Sequence, residues 1–287
     1  MPKYRKPLPA ELPEPESIDV QELAAGLKSD SLDMVCVLGP TASGKTRYAV
    51  GLARALGGFG LRAEIISADS RQVYRGMDIG TGKDLSEYQE IPYHIIDVRE
   101  AGSQYNVYDF TQDFRAAYDD IRARGAVPIL CGGTGLYINA VTAGYDFRSS
   151  KPLSAPSPDS GNAPFSAENA PSDDSAVRSD TVPRTCFIGT LVSREVRNAR
   201  IDSRLRARLQ EGMADEIRAL LESGVPAETL IGYGLEYKYV TLFLQGELSE
   251  QELFDKLSTA IHQFAKRQMT WFRGMERSGV KIHWVEV

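Results

Sequence analysis

The sequence is poor in metal-binding side chains, with three cysteines and three histidines among 287 residues. Cys36, Cys131 and Cys186 stand apart with no C-x-x-C pair, which excludes a disulfide framework and a zinc ribbon. Cys36 and Cys131 fall in apolar runs and read as small buried hydrophobes. His94 and His262 lack ligand spacing. No apolar run reaches the roughly 20 residues of a membrane span, and Met1-Pro2-Lys3-Tyr4-Arg5-Lys6 leads into no apolar core, so a cytoplasmic protein with no membrane partner is expected. A basic excess is also missing: 33 Lys and Arg against 39 Asp and Glu leave a net charge of -6, which argues against a general nucleic-acid binder but leaves room for a local basic face. The hydrophobic share of 42% suffices for a sizeable core at this length.

What is present is a phosphate loop in its proper frame. Gly39-Pro40-Thr41-Ala42-Ser43-Gly44-Lys45-Thr46 fits G-x-x-x-x-G-K-[ST]. The strand-like run Met34-Val35-Cys36-Val37-Leu38 precedes it. Tyr48, Leu52, Ala53 and Leu56 follow at helical spacing until Gly57-Gly58. The glycines let backbone N–H groups turn inward on a polyanion, and the helix start adds its positive dipole end. Lys45 supplies a point charge, and the Thr46 hydroxyl can ligate Mg²⁺. The loop implies a diphosphate or triphosphate ligand and is silent on what is done to it.

Strands and helices alternate along the rest of the chain. Ala63–Ser67, Tyr93–Asp97, Val127–Cys131 and Cys186–Val192 read as strands. Phe110, Phe114, Tyr118 and Ile121 mark a helix closed by Gly125. Ile201, Leu205, Leu209, Met213 and Ile217 recur every four residues as one long helix, and Leu253 to about Met275 reads as another. This predicts an α/β fold: a parallel sheet of the phosphate-loop NTPase kind, flanked by helices, collecting ligands at the carboxyl ends of its strands. Asp69, Asp97 and Thr134 fall at such ends. Residues 1–30, with Pro7, Pro9, Pro13 and Pro15, read as an N-terminal arm, and 148–184 as a low-complexity loop, which leaves 31–147 and 185–287 as the catalytic domain.

Five motifs in order carry a resemblance. The phosphate loop is followed by Asp69-Ser70-Arg71-Gln72-Val73-Tyr74-Arg75-Gly76-Met77-Asp78-Ile79-Gly80-Thr81 and then by Ile91-Pro92-Tyr93-His94. Gly132-Gly133-Thr134-Gly135-Leu136-Tyr137 and Ala265-Lys266-Arg267-Gln268-Met269-Thr270-Trp271 complete the set. Together they resemble the tRNA dimethylallyltransferases, or tRNA isopentenyltransferases, over residues 33–147 and 186–287. That family transfers a dimethylallyl group from its diphosphate to the exocyclic N6 amine of an adenosine beside the tRNA anticodon. Three features depart from it. The helical tRNA-gripping insertion after the Gly-Gly-Thr strand is replaced by the low-complexity stretch, a basic position on the last helix is His262, and the lysine after Gly232-Tyr233 is Gly234.

The resemblance implies roles residue by residue. Loop residues Gly39 to Thr46 hold the diphosphate with Mg²⁺ on Thr46, and Arg194 and Arg200 close over it, although their arginine stripe also reads as a solvated helix face. Asp69 is the general base that takes the amine proton; the bare residue also reads as a turn cap or a metal carboxylate. Thr41 orients the reacting groups beside Lys45. Asp69, Ser70, Arg71, Gln72, Thr134 and Gln268 line the channel for the splayed-out base, while Lys266, Arg267 and Arg273 meet the RNA backbone. Trp271 reads as core packing. Partners are thus the tRNA anticodon loop and dimethylallyl diphosphate, with a monomer expected. Two other enzymes fit the bare motifs: an adenylate isopentenyltransferase acting on a free nucleotide, and a small-molecule kinase with Asp97 at the metal. A non-catalytic phosphate-loop regulator is the remaining class.

Overall fold

In a computed structural model describing residues 12–143, 145–146, 151–152 and 182–287, the run Met34–Leu38 becomes β1, buried at every position. A strand with no polar position has no solvent face, so it belongs at the centre of a sheet covered on both sides. Ala63–Ser67 (β2), Tyr93–His94 (β3), Val127–Gly132 (β4), Thr185–Leu191 (β7) and Ile282–Glu286 (β8) join it. The order is β3-β2-β4-β1-β7-β8 and every pairing is parallel. Tyr145–Asp146 (β5) and Lys151–Pro152 (β6) form a separate antiparallel pair. Most of the low-complexity stretch lies outside the described residues.

Alternation along β1 divides the core. Val35 and Val37 face Leu23, Leu52, Leu56, Ile65 and Ile129 on one side of the sheet. Met34, Cys36 and Leu38 face the larger cluster of Phe110, Phe114, Tyr237, Leu257 and Phe272 on the other. The first face is covered by helices α1 (Val20–Lys28) and α2 (Lys45–Gly57). The second packs against α3 (Val107–Ala123), α4 (Gly135–Thr142) and the helices that follow β7: α5 (Arg194–Glu211), α6 (Met213–Glu222), α7 (Ala227–Tyr233), α8 (Leu235–Leu244) and α9 (Glu250–Arg277).

Several elements differ from the sequence expectation, each for a local reason. The stretch read as an arm contains α1, because the prolines end at Pro15 and the Asp19 carboxylate caps the N–H groups of Gln21 and Glu22. Nine residues make a marginal helix alone, and burial of Leu23 and Leu27, at about 1.5–3 kcal/mol for a fully buried leucine, supports it. β3 stops at His94 and does not reach Asp97, since Ile95 and Asp97 take positive φ angles of 62° and 55° that a ladder does not accept. The long four-residue period is two helices: Gly212, at φ 106°, ends α5 and starts α6 in register with the same apolar face.

Candidate functional site

The carboxyl ends of β1, β2 and β4 open into one cavity lined by Thr41, Lys45 and Thr46 from the phosphate loop and Ser67, Asp69, Cys131 and Gly132 from the other two strands. The loop's own shape is enforced from behind. Gly44 adopts φ 83°, and the buried Ser43 hydroxyl lies 2.6 Å from the Thr190 hydroxyl on β7, which donates to the Leu38 carbonyl at 3.3 Å. A Cβ on Gly39 would stand 2.1 Å from that Thr190 oxygen, so only glycine fits there. Thr41's N–H donates to Gln268 Oε1 at 2.8 Å, and Gln268 Nε2 donates to the Gly133 carbonyl at 2.9 Å. Gln268, expected along the RNA channel, is therefore a buried strut between phosphate loop and β4.

Asp69 sits one residue past Ala68, whose N–H donates to Cys131 at 2.8 Å. Its Oδ1 accepts the Arg71 N–H at 2.9 Å, a turn that aims the residues after β2 back over the cavity. The Thr134 hydroxyl accepts the Ser70 N–H at 3.2 Å and fixes the same turn from the β4 side. Gln72, Thr81, Gly82, Asp84, Glu87 and Tyr88 complete the far wall. That wall is anchored by Lys83, whose fully buried ammonium binds the Tyr74 carbonyl and the carboxylates of Asp78 and Asp97. Asp97, the metal carboxylate of the kinase reading, is thus an ion-pair partner of Lys83.

The arginine stripe is divided in a way that the sequence did not disclose. Arg204 reaches the cavity, 3.8 Å from Asp84, and Arg208 is buried beside it at 3.4 Å from the same carboxylate. Arg194 and Arg200 are exposed, and neither lines the cavity; Arg200 lies 3.5 Å from the Val287 carbonyl. Four residues apart on α5, Arg204 and Arg208 share a face, so Arg204 is the cation that the cavity receives. His262 does not face the cavity either: its Nε2 is 3.0 Å from Asp202 on α5. Beside Gly234 the vacant side-chain position is bordered by Arg71, whose Nε would lie 3.5 Å from a Cβ there. Lys266 and Arg267 are exposed on α9, with the Arg267 guanidinium 5.9 Å from the centre of the exposed Phe264 ring.

Burial pulls the Lys45 ammonium below its ordinary 10.5, with Arg204 acting in the same direction and Asp69 opposing. Burial pushes the Cys131 thiol up to about 12 despite Lys45, so it is an inert wall and no nucleophile. Arg208 is lowered to about 10 by burial and then by Arg204. A second hollow shares Thr41 and Arg204 with the first and has an apolar wall of Ala42, Ile201, Leu205 and Ile261; Glu236 lines it too, its carboxyl raised above 4.5 by burial. Two cations, the carboxylates of Asp69, Asp84 and Glu87, and an apolar side pocket thus surround one space. Such a set can hold an anionic leaving group, accept a proton and seat a small hydrocarbon.

Among the described residues no three His, Cys, Asp or Glu side chains gather to hold a metal. Mg²⁺ asks less of a protein, one or two oxygen ligands with phosphate and water completing its octahedron, and the Thr46 hydroxyl meets that requirement at the helix start.

Comparison with known proteins places the chain in a family. The family model described as IPP transferase matches residues 72–170 and 156–275. A tRNA dimethylallyltransferase 2 of Porphyromonas gingivalis is 49% identical, with 88% of this chain and 93% of that protein covered. A tRNA dimethylallyltransferase 1 of Parabacteroides distasonis is 45% identical over 89% and 93%. Among solved structures, the full-length tRNA isopentenylpyrophosphate transferase of Bacillus halodurans superposes with a TM-score of 0.70 at 29% identity, covering 88% of this chain and 89% of that one. With the motifs, the parallel sheet and relatives at this identity in agreement, the chain belongs to the IPP transferase family.

Proposed function

We propose that this protein transfers a dimethylallyl group from dimethylallyl diphosphate to the N6 amine of an adenosine next to the tRNA anticodon, releasing diphosphate, as a monomer in the cytoplasm. The observation that carries the reading is the placement of Asp69 in one cavity with Lys45, Thr46 and Arg204. The allylic carbon–oxygen bond breaks, the carbon–nitrogen bond forms, and the amine proton passes to the Asp69 carboxylate. Charge grows on the leaving diphosphate, where Lys45 and Arg204 supply preorganised positive charge and the phosphate-loop amides supply donors. Thr46 would hold Mg²⁺, which offsets further diphosphate charge when bound. Ala42, Ile201, Leu205 and Ile261 offer the hydrocarbon an apolar wall. Arg200 lies one turn before Arg204 and, with Arg194, stays on the exposed part of α5 outside the cavity.

The acceptor side follows from the same wall. Ser70, Arg71 and Gln72 border the path of a splayed-out base, Thr134 holds their turn, and Lys266 and Arg267 provide the exposed basic surface that an RNA backbone requires. A free nucleotide needs no such surface, and a kinase would need Asp97 free of Lys83. No helix among the described residues is long and apolar enough to cross a membrane. The deciding experiment supplies dimethylallyl diphosphate labelled in its hydrocarbon together with unmodified tRNA and, separately, AMP. Label is expected in tRNA at adenosine N6. Label in AMP alone, or none with either acceptor, defeats the reading.

A further inference from the structure

Resting on the prenyl-transfer reading, we propose that Glu216 is a positioning residue: its carboxylate clamps the loop Asp78–Gly82 and, through Gly82, holds the turn that carries Asp69. Glu216 stands in the first turn of α6 and does not line the cavity. Its Oε2 accepts the N–H groups of Asp78 at 2.8 Å and Ile79 at 2.7 Å. Its Oε1 accepts the Gly80 N–H at 3.1 Å and the Tyr237 hydroxyl at 2.7 Å. Three successive backbone amides converging on one anion form the kind of nest that elsewhere binds a phosphate or carboxylate ligand. Here the anion is the protein's own, and its charge strengthens each hydrogen bond.

The fit leaves the loop little slack. Gly80 lies on the Tyr237 ring so closely that a Cβ would come 2.8 Å from its carbons, and Tyr237 is itself fully buried. Burial and then the Glu216 charge raise the Tyr237 hydroxyl well above the usual phenol range, so it remains a donor at any working pH. From the clamped loop two contacts run to the chemistry. The Gly82 carbonyl accepts Gln72 Nε2 at 3.2 Å, and Gln72 Oε1 accepts the Ser67 hydroxyl at 3.2 Å, which pins the segment on either side of Asp69. Gly82 also faces the guanidinium ends of Arg204 and Arg208, where a Cβ would stand 2.1 and 2.0 Å from their nitrogens. The height of the loop therefore sets where both the proton acceptor and the cavity cation sit.

Glu216→Gln tests this, because the amide keeps the side-chain shape but turns an NH₂ group toward amide N–H donors. The purified variant and wild type are compared in single-turnover transfer from dimethylallyl diphosphate to tRNA, in donor binding, and in hydrogen exchange at the amides of Asp78, Ile79 and Gly80 without substrate. Expected are a transfer rate lower by on the order of 10–100-fold, the scale of a small misplacement of reacting groups, with donor affinity within a few-fold and faster exchange at those three amides. Wild-type transfer, or a loss of transfer with exchange unchanged, overturns the proposal. If the variant does not fold, Tyr237→Phe keeps the carboxylate and removes one donor; it is expected to quicken exchange at Gly80 and slow transfer several-fold, and no change in either sinks the clamp. Should wild type itself transfer no label, the function reading falls while the exchange measurement still judges the clamp.

Discussion

The Thr41 backbone N–H donates to Oε1 of Gln268 at 2.8 Å, across 227 residues of sequence, so one amide of the phosphate loop is occupied within the protein and is not offered to a ligand. The same side chain donates to Gly133 at 2.9 Å, and a Cβ on Gly133 would stand 2.4 Å from its nitrogen. Loop, β4 end and α9 are locked together by one amide group. Gln268→Ala leaves a donor and an acceptor without partners, which costs about 1–3 kcal/mol for each such buried group. Urea unfolding is expected to report a loss of that order, and donor affinity is expected to fall because the loop is freed. Unchanged stability and affinity would contradict the strut.

Arg204, not Arg194, is the arginine whose loss should reach the diphosphate. Arg204 lines the cavity beside Lys45, whereas Arg194 is exposed at the start of α5. Arg204→Ala is expected to weaken donor binding and transfer together by roughly 10-fold or more, the worth of one charge-assisted contact of 1.5–3 kcal/mol. Arg194→Ala is expected to stay within about twofold, as isolated surface charges do. Calorimetric titration with dimethylallyl diphosphate ranks the two directly, and the reverse ranking would move the donor's anionic end away from the cavity assigned to it.

These two cases illustrate what the sequence can reveal. The phosphate loop, β1, β2, β4, α3 and the body of α9 were legible because each is a local pattern: an apolar run, a helical period, a glycine at a stop. Asp69 and Thr134 were legible for a related reason, since strand ends predict where side chains converge. Long-range partners leave no such trace. Arg204 differs from Arg200 by one helical turn, and only the packing of α5 against the Gly82 loop selects it. Glu216 looks like an ordinary acidic residue in a first helical turn, and Lys83 like one more lysine. β8 escaped notice because five residues after a long helix carry little periodicity. The short helices α7 and α8, divided at Gly234 with φ 154°, are absent from the sequence reading because seven and ten residues give too few turns for a clear period.

Acid stability should depend on Asp33, which precedes β1 and receives a fork from Arg184 just before β7: Nε at 2.8 Å, an Nη at 2.7 Å and the Arg184 N–H at 2.8 Å. The Arg184 hydrogen bonds, partly countered by burial, hold the Asp33 carboxyl below its ordinary 3.8. A carboxyl whose value is lower in the fold contributes stability that is present above 3.8 and is lost as pH falls through the folded value. Asp33→Asn is therefore expected to lower stability by a constant amount above about pH 5, with the gap from wild type closing in more acidic solution. Arg184 is mostly exposed, so the gap should be modest and shrink with salt. Denaturant melts across pH measure it, and a gap that persists unchanged at pH 2 to 3 would show that the ion pair is not its cause.

Asp69 allows the cleanest separation of binding from chemistry. Its Oδ1 accepts the Arg71 N–H and builds the turn, which leaves its other oxygen free of that duty. Asp69→Asn keeps an acceptor for Arg71 and so keeps the turn, while placing an NH₂ group that cannot take a proton in the remaining position. Asp69→Ala would lose both functions and confuse the result. The Asn variant is expected to bind dimethylallyl diphosphate within a few-fold of wild type, because the diphosphate is proposed to contact Lys45, Thr46 and Arg204, which line the cavity with Asp69. Its chemical step is expected to slow by roughly 10²–10⁴, the usual contribution of a positioned acid or base. Single-turnover transfer to tRNA, followed across a Mg²⁺ titration, distinguishes the roles. A general base cannot be replaced by more metal, whereas a metal-ligating carboxylate can be compensated by it. Recovery of the Asn variant at high Mg²⁺ would reassign Asp69 to metal binding and remove it as the acceptor of the amine proton.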